Sequence, residues 1–199
     1  MFKKLLLASS SPRRKELLTL AGVSFEIRVP DVDETPRANE SPVNMVKRLA
    51  LEKAKAVWVN EMGGKGSGLI LAADTTVVNS KDQILGKPRN KKEAMAMIAS
   101  LQGKIHRVYT GYAIIEVVNG ELQAQKSKSV QTKVYIRELS GAEIKVYVNR
   151  GESMDKAGAY AAQGFGMTII QKIEGSYTNV VGLPMAEVLD DLKQLGWRA

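Results

Sequence analysis

Four consecutive apolar residues, Leu5-Leu6-Leu7-Ala8, run directly into Ser9-Ser10-Ser11-Pro12-Arg13-Arg14. This passage constrains the fold more than any other in the chain. A short apolar run closed by a hydroxyl-rich turn reads as a buried strand. Ser11 fits an N-cap, and Pro12 fits the first helical position, where its missing N–H costs nothing. The chain therefore opens as strand, tight turn, helix. The start of such a helix offers free N–H groups and a favourable dipole to an anion. Arg13 and Arg14 add fork-shaped donors that suit phosphate oxygens. The same residues also read as an ordinary capped helix with a solvated basic first turn.

The pattern continues with both element types. Phe25–Val29 alternates like a half-buried strand, and an acidic loop follows at Asp31–Pro36. Ser41-Pro42 opens a helix to about Asn60, with Val46, Leu49, Ala50, Ala54 and Val57 at helical spacing. The glycine-rich residues 63–68 read as a flexible surface loop. They lack the Gly-Lys-Ser/Thr ending of a nucleotide P-loop. Leu69–Asp74 is an apolar strand stopping on a carboxylate, with Thr76–Val78 still extended. Asn90 with Glu93 and Ser140 with Glu143 resemble capping boxes, opening helices to Leu101 and Asn149. Tyr109–Val118 and Leu122–Tyr135 read as paired strands about an Asn119-Gly120 turn. Met167–Ile173 is strand-like, and Pro184–Leu195 is a closing helix. A long hairpin interrupting the alternation predicts α/β with a mixed sheet rather than a purely parallel one.

A 199-residue chain that is 44% hydrophobic can bury a substantial core and fits one domain, with room for two lobes. It has no cysteine, which excludes disulfides, thiolate nucleophiles and cysteine-based metal sites. The first apolar run is too short for a signal peptide or a membrane span, so a cytoplasmic protein without a membrane partner is expected. The formal charge of +8 favours polyanionic partners, either nucleic acid or small phosphorylated ligands. No zinc-finger spacing, basic zipper or aromatic RNA-binding motif accompanies it. Surface lysine also serves solubility alone.

Several residues could carry chemistry. Asp74 closes an apolar run, where a carboxylate is costly unless solvent, a cation or hydrogen bonds receive it. It reads as a turn aspartate, a metal-associated carboxylate or a general base. Glu34 or Asp33 could supply a second carboxylate for Mg²⁺. Lys53 lies inside a helix, where a lysine stem can also snorkel harmlessly. Gly86-Lys87-Pro88 presents a compact cation on a fixed loop. His106, the only histidine, cannot by itself form a histidine-rich metal site and is expected to pack or hydrogen-bond. Gln163 carries the donors and acceptor that suit a pyrimidine edge. No nucleophile-elbow motif is present, so attack by water is the economical chemistry.

Taken together, Ser9–Arg14, Asp33-Glu34, Ala50–Lys53, Ala73–Thr75, Gly86–Pro88, His106–Gly111, Asp155–Tyr160 and Ser176–Pro184 resemble the Maf family of nucleoside triphosphate pyrophosphatases. Asp155–Tyr160 followed by Gln163-Gly164 resembles the branch acting on dTTP and UTP. The resemblance implies a long mixed sheet flanked by helices, with a cleft between two lobes of a single domain, as in inosine triphosphate pyrophosphatase. It implies hydrolysis of dTTP and UTP, or of modified pyrimidine nucleotides, to monophosphate and pyrophosphate. It also implies Mg²⁺ or Mn²⁺ as cofactor and a homodimer. Asp74 matches the family's proton acceptor, and Arg13, Thr75 and Gln163 match its substrate-selecting positions. Ser9, Arg14, Glu34, Lys53, Lys87 and Lys156 match other polar positions of its cleft. Among these, Glu34 and Asp74 are the expected metal carboxylates, and Lys53 and Lys87 the expected catalytic cations. Ser9, Arg13, Arg14, Lys53, Lys87 and Lys156 are the expected phosphate contacts. A regulatory or nucleic-acid-binding protein tied to cell division, without turnover, is the competing expectation.

Overall fold

The computed structural model describes residues 3–63 and 65–198. Its elements, in chain order, are β1 (Leu5–Ala8), α1 (Pro12–Leu20), β2 (Glu26–Arg28), α2 (Pro42–Val57), β3 (Gly68–Val78), β4 (Ile84–Leu85) and α3 (Lys91–Leu101). There follow β5 (Ile105–Val118), β6 (Glu121–Ile136), α4 (Gly141–Asn149), β7 (Ile170–Glu174), α5 (Tyr177–Val181) and α6 (Met185–Gln194). The seven strands form one sheet in the order β2-β1-β3-β5-β6-β7, with β4 paired to β3. β1 runs parallel to β2 and β3, whereas β4 is antiparallel to β3 and β7 to β6. The fold is α/β with a mixed sheet flanked by helices.

The described chain divides into two compact units. The first comprises the described residues within 1–74, 110–130 and 182–199. Its core forms because β1, β3 and β5 each turn every second side chain toward α2. Leu6, Ala8, Ile70, Ala72, Ala113 and Ile115 meet Ala50, Ala54 and Val57. Residues 50, 54 and 57 recur at helical spacing, which sets them in one stripe along the helix. The register Leu6↔Ile70 and Ala8↔Ala72 keeps the strand side of this layer aligned. Ser41 caps α2 by accepting from the Asn44 N–H.

The second unit comprises residues 75–109 and 131–181. Its core joins Ile98 and Leu101 of α3 to Ile144, Tyr147 and Val148 of α4, and to Val108, Val134 and Ile136 of the strands. Ser140 and Glu143 form the expected reciprocal capping box at α4. At α3, Asn90 accepts from the Glu93 N–H, but the Glu93 carboxylate turns to the Arg89 N–H instead.

Several boundaries differ from the sequence reading. β3 does not stop at Asp74 but continues to Val78, so Asp74 is an internal strand residue. α2 ends at Val57 and passes into a wide π-type turn, Trp58–Met62. The segment Gly164–Thr168 is a 3₁₀ turn, leaving only Ile170–Glu174 as strand. α5 carries no sequence signal of its own, because five residues are too few to show a helical period. In the glycine-rich loop, Gly64 lies outside the described residues and Gly68 already belongs to β3. Ser67 Oγ accepts from the Asn119 N–H, and the Gly66 carbonyl accepts from the Gly120 N–H. Asn119 and Gly120 both adopt the positive φ that a tight hairpin turn requires. Among the described residues, no helix is long and apolar enough to cross a membrane.

Candidate active site

The first unit gathers Ser9, Arg14, Glu34, Lys53 and Asp74. Lys53 extends from the buried face of α2, and Asp74 extends from β3; both are buried. Lys53 Nζ donates to Asp74 Oδ1 at 2.7 Å. It also lies 2.7 Å from Glu34 Oε1. The Glu34 side chain is 56% exposed, compared with 12% for Asp74. One ammonium thus serves a buried carboxylate and one open to solvent. The cost of placing Asp74 inside the sheet is offset by this pairing.

The turn after β1 is built differently from a simple N-cap. Ser11 has extended backbone angles and Pro12 begins α1, but the Ser11 side chain makes no capping hydrogen bond. Ser9 is the organising hydroxyl. Its Oγ accepts from the Ser11 N–H at 3.2 Å and from Arg14 Nη1 at 3.2 Å. Arg14 Nε donates to the Gly182 carbonyl at 2.9 Å. Burial pushes the Arg14 pKa down, while the nearby negative charge of Asp74 opposes that shift. Arg14 is therefore electrostatically coupled to the Lys53–Asp74 pair. The Gly182 carbonyl is a partner of Arg14 that the sequence reading does not single out. Its signal, the glycine-containing run before Pro184, names no particular carbonyl.

The second unit contains Thr75, Lys87, Lys156 and Gln163, whereas Arg13 belongs to the first. Lys87 is exposed and lies in a segment tied to the Lys156 segment, where the Gly158 N–H donates to the Gly86 carbonyl at 3.1 Å. Lys156 precedes a 3₁₀ turn, Ala157–Ala159, and its Nζ lies 2.7 Å from Asp155 Oδ1. Gln163 precedes the turn Gly164–Thr168. That turn is held by Glu152, whose Oε1 accepts from the Phe165 N–H, and by Arg150 stacked 3.9 Å from the Phe165 ring centre. Arg13 and Thr75 are both half-buried.

His106 is buried, and its Nε2 lies 2.6 Å from the Tyr160 hydroxyl. The rings meet edge to face. Burial lowers the His106 pKa to about 4. It belongs to the packing of the second unit, as a hydrogen-bonded core residue.

Two carboxylates converging on one positive charge provide the oxygen donors that Mg²⁺ prefers. That ion commonly takes one or two carboxylates and completes its shell with water and phosphate oxygens. Glu34 and Asp74 could supply such oxygens, each carboxylate already 2.7 Å from the Lys53 ammonium. Among the described residues, no cluster of three or more histidine, aspartate or glutamate side chains forms a fuller protein cage.

The match to known proteins is extensive. Residues 4–195 match the model of the Maf-like protein family. The chain belongs to the Maf family. It is 45% identical over 195 residues to a dTTP/UTP pyrophosphatase of Pelotomaculum thermopropionicum, covering 98% of each chain. It is 47% identical over 196 residues to a dTTP/UTP pyrophosphatase of Bacillus anthracis, covering 96% of this chain and 95% of the relative. Among solved structures, a nucleoside-triphosphatase / dITP/XTP pyrophosphatase from Mycobacterium abscessus aligns over 97% of this chain and 95% of its own. The TM-score is 0.44 and the identity 14%. The Staphylococcus aureus Ham1 protein aligns over 84% of this chain and 80% of its own, with a TM-score of 0.42 and 12% identity.

Proposed function

We propose that this Maf-family chain hydrolyses dTTP and UTP to the nucleoside monophosphate and pyrophosphate. The carrying observation is the buried Asp74 held by Lys53, with Glu34 on the same ammonium. Near-complete alignment with relatives described as dTTP/UTP pyrophosphatases supports the choice of substrate.

In this reading, Asp74 takes a proton from the attacking water. A bond forms from the water oxygen to phosphorus, the bridging oxygen between the α and β phosphates leaves, and pyrophosphate departs. Proton removal by a fixed carboxylate contributes roughly 10²–10⁴-fold. Lys53 fixes the position of Asp74 and lends positive charge to the phosphates. Arg13, Arg14, Lys87 and Lys156 hold phosphate oxygens, and fixed cations of this kind stabilise charge developing in the transition state. Glu34 and Asp74 would hold a divalent cation, Mg²⁺ or Mn²⁺, which would supply charge neutralisation on the phosphate oxygens. Arg13, Thr75 and Gln163 select the nucleotide, with the Gln163 amide reading the pyrimidine edge. The protein works in this reading as a homodimer, which sedimentation velocity tests directly.

The test is a panel of nucleoside triphosphates with Mg²⁺ or Mn²⁺, read by pyrophosphate release. dTTP and UTP should give the highest kcat/KM, with monophosphate as the second product. Orthophosphate and nucleoside diphosphate would move the cleaved bond. Salt-sensitive nucleic-acid binding with no turnover would replace the hydrolase reading altogether. Competition of 5-methyl-UTP and pseudo-UTP against dTTP and UTP separates standard from modified substrates. One methyl group is worth only roughly 1–3 kcal/mol in a pocket.

A further inference from the structure

The loop that carries Glu34 has no regular secondary structure, yet Glu34 meets a buried ammonium at hydrogen-bonding distance. Something must hold the loop there. Arg48, on α2 five residues before Lys53, makes the relevant contacts. Its Nε donates to Glu40 Oε1 at 2.6 Å and its Nη2 to Glu40 Oε2 at 2.7 Å, a bidentate fork. Nη1 reaches Glu52 Oε2 at 3.0 Å. Nη2 also reaches the carbonyl of Thr35, the residue after Glu34, at 3.3 Å. The Arg48 side chain is 13% exposed and Glu40 is 10% exposed, so this is not a solvated surface pair.

The surrounding contacts extend the same frame. Arg37 Nη2 donates to Glu52 Oε1, and the Arg37 N–H donates to Glu40 Oε2. The Thr35 N–H donates to Asp33 Oδ1. The loop is therefore tied beside Glu34, at Thr35, and again at Glu40 where α2 begins, both times by one guanidinium. The fork geometry is specific to arginine, because a lysine ammonium cannot bind a carboxylate bidentately.

We infer that Arg48 is a positioning residue for Glu34, clamping residues 35–40 onto α2 so that the Glu34 carboxylate meets the Lys53 ammonium. The inference rests on the hydrolase reading for its activity and Mn²⁺ arms only. Misplacing a participating group by about 1 Å can cost on the order of 10²-fold in rate.

The experiment is a double-mutant cycle with an exchange measurement on the same proteins. Wild type, Arg48→Ala, Arg48→Lys, Glu34→Gln and Arg48→Ala/Glu34→Gln are assayed for pyrophosphate release from dTTP. Binding of Mn²⁺ is followed by electron paramagnetic resonance. Arg48→Ala should lower kcat/KM by about 10–10²-fold and weaken Mn²⁺ binding. Arg48→Lys should rescue little of either. In the Glu34→Gln background, Arg48→Ala should have almost no further effect, because residues that act as a unit are not additive. Hydrogen exchange across residues 33–40 should speed up in Arg48→Ala. Glu40→Gln, which keeps the size of the carboxylate but removes its charge, gives a second route if Arg48→Ala does not fold. Full additivity of the two losses overturns the inference and leaves the hydrolase reading standing. Absence of pyrophosphate release by wild type overturns the hydrolase reading, and the exchange arm then decides the inference. Unchanged exchange at 33–40 in a folded Arg48→Ala protein overturns it under either outcome.

Discussion

Lys53 Nζ and Asp74 Oδ1 lie 2.7 Å apart between α2 and β3, both side chains nearly closed to solvent. Neither charge is tolerable there alone, so the pair is a structural element whatever its chemistry. Lys53→Met removes the cation and leaves Asp74 buried without its ammonium. Breaking such a pair costs about 3 kcal/mol, a fall of roughly 6–12 °C in Tm for a chain of this size. Lys53→Met/Asp74→Leu should recover most of that loss while remaining inactive. Equal melting of the Lys53→Met single mutant and wild type would show that the pair is not a structural element.

Asp74→Asn keeps size and one acceptor oxygen but cannot take a proton from water. Turnover of dTTP should fall roughly 10²–10⁴-fold, with a circular dichroism spectrum close to wild type. Retention of more than about half of wild-type kcat/KM would falsify the general-base role, given the size of effect such groups supply.

His106 offers a pH test that no other histidine can obscure, since the chain has only one. Burial holds its folded pKa at about 4, below the ordinary value of 6.5. As pH falls from 6.5, the unfolded chain takes up the proton first. The stabilisation present above pH 6.5 is therefore lost progressively as pH drops toward 4, amounting to about 3 kcal/mol. Urea midpoints at pH 7.5, 6 and 5 should decline in wild type, and the decline should be shallower in His106→Gln. The single imidazole NMR signal should stay in its neutral position at pH 5.5. A midpoint of titration near 6.5 would mean the ring is not enclosed.

Gly111→Ala tests the packing that carries Lys53 to Asp74. A Cβ at residue 111 would stand 2.3 Å from the Val46 carbonyl oxygen and 2.7 Å from the Lys47 nitrogen, both backbone atoms of α2. Backbone cannot swing aside as a flexible side chain can, so α2 must shift from β5. We expect a loss at the upper end of about 1–3 kcal/mol together with reduced turnover. Wild-type stability and activity in this variant would show that the helix accommodates the methyl group freely.

Gln163→Glu replaces amide donors with acceptors. If this side chain reads the base, kcat/KM for dTTP and UTP should fall more than the weak rate with GTP or 7-methyl-GTP. Equal losses across the four nucleotides would assign Gln163 to the phosphates or to the scaffold.

Much of the architecture was legible in the sequence. β1 follows its apolar run residue for residue, and α2 begins at Ser41-Pro42 because capping and proline chemistry are local. The Asn119-Gly120 turn and the Ser140–Glu143 box are equally local. Asp74 as a strand terminus was misplaced for a physical reason. A carboxylate in an apolar run signals an end only when nothing else neutralises it, and its partner lies 21 residues earlier on α2.

The site divides along the same line. The residue types proposed for phosphate and water chemistry stand out as motifs, because their side-chain chemistry is intrinsic. Only the tertiary structure decided that Lys53 joins Glu34 to Asp74, that Ser9 rather than Ser11 organises the first turn, and that Arg48 ties the acidic loop to α2. Each of these is a contact between segments distant in sequence, or a choice among neighbouring hydroxyls. Such contacts depend on which face of a helix or strand is buried and on the register of the sheet. Those quantities are set by the packing of the whole unit, and no local stretch of sequence contains them.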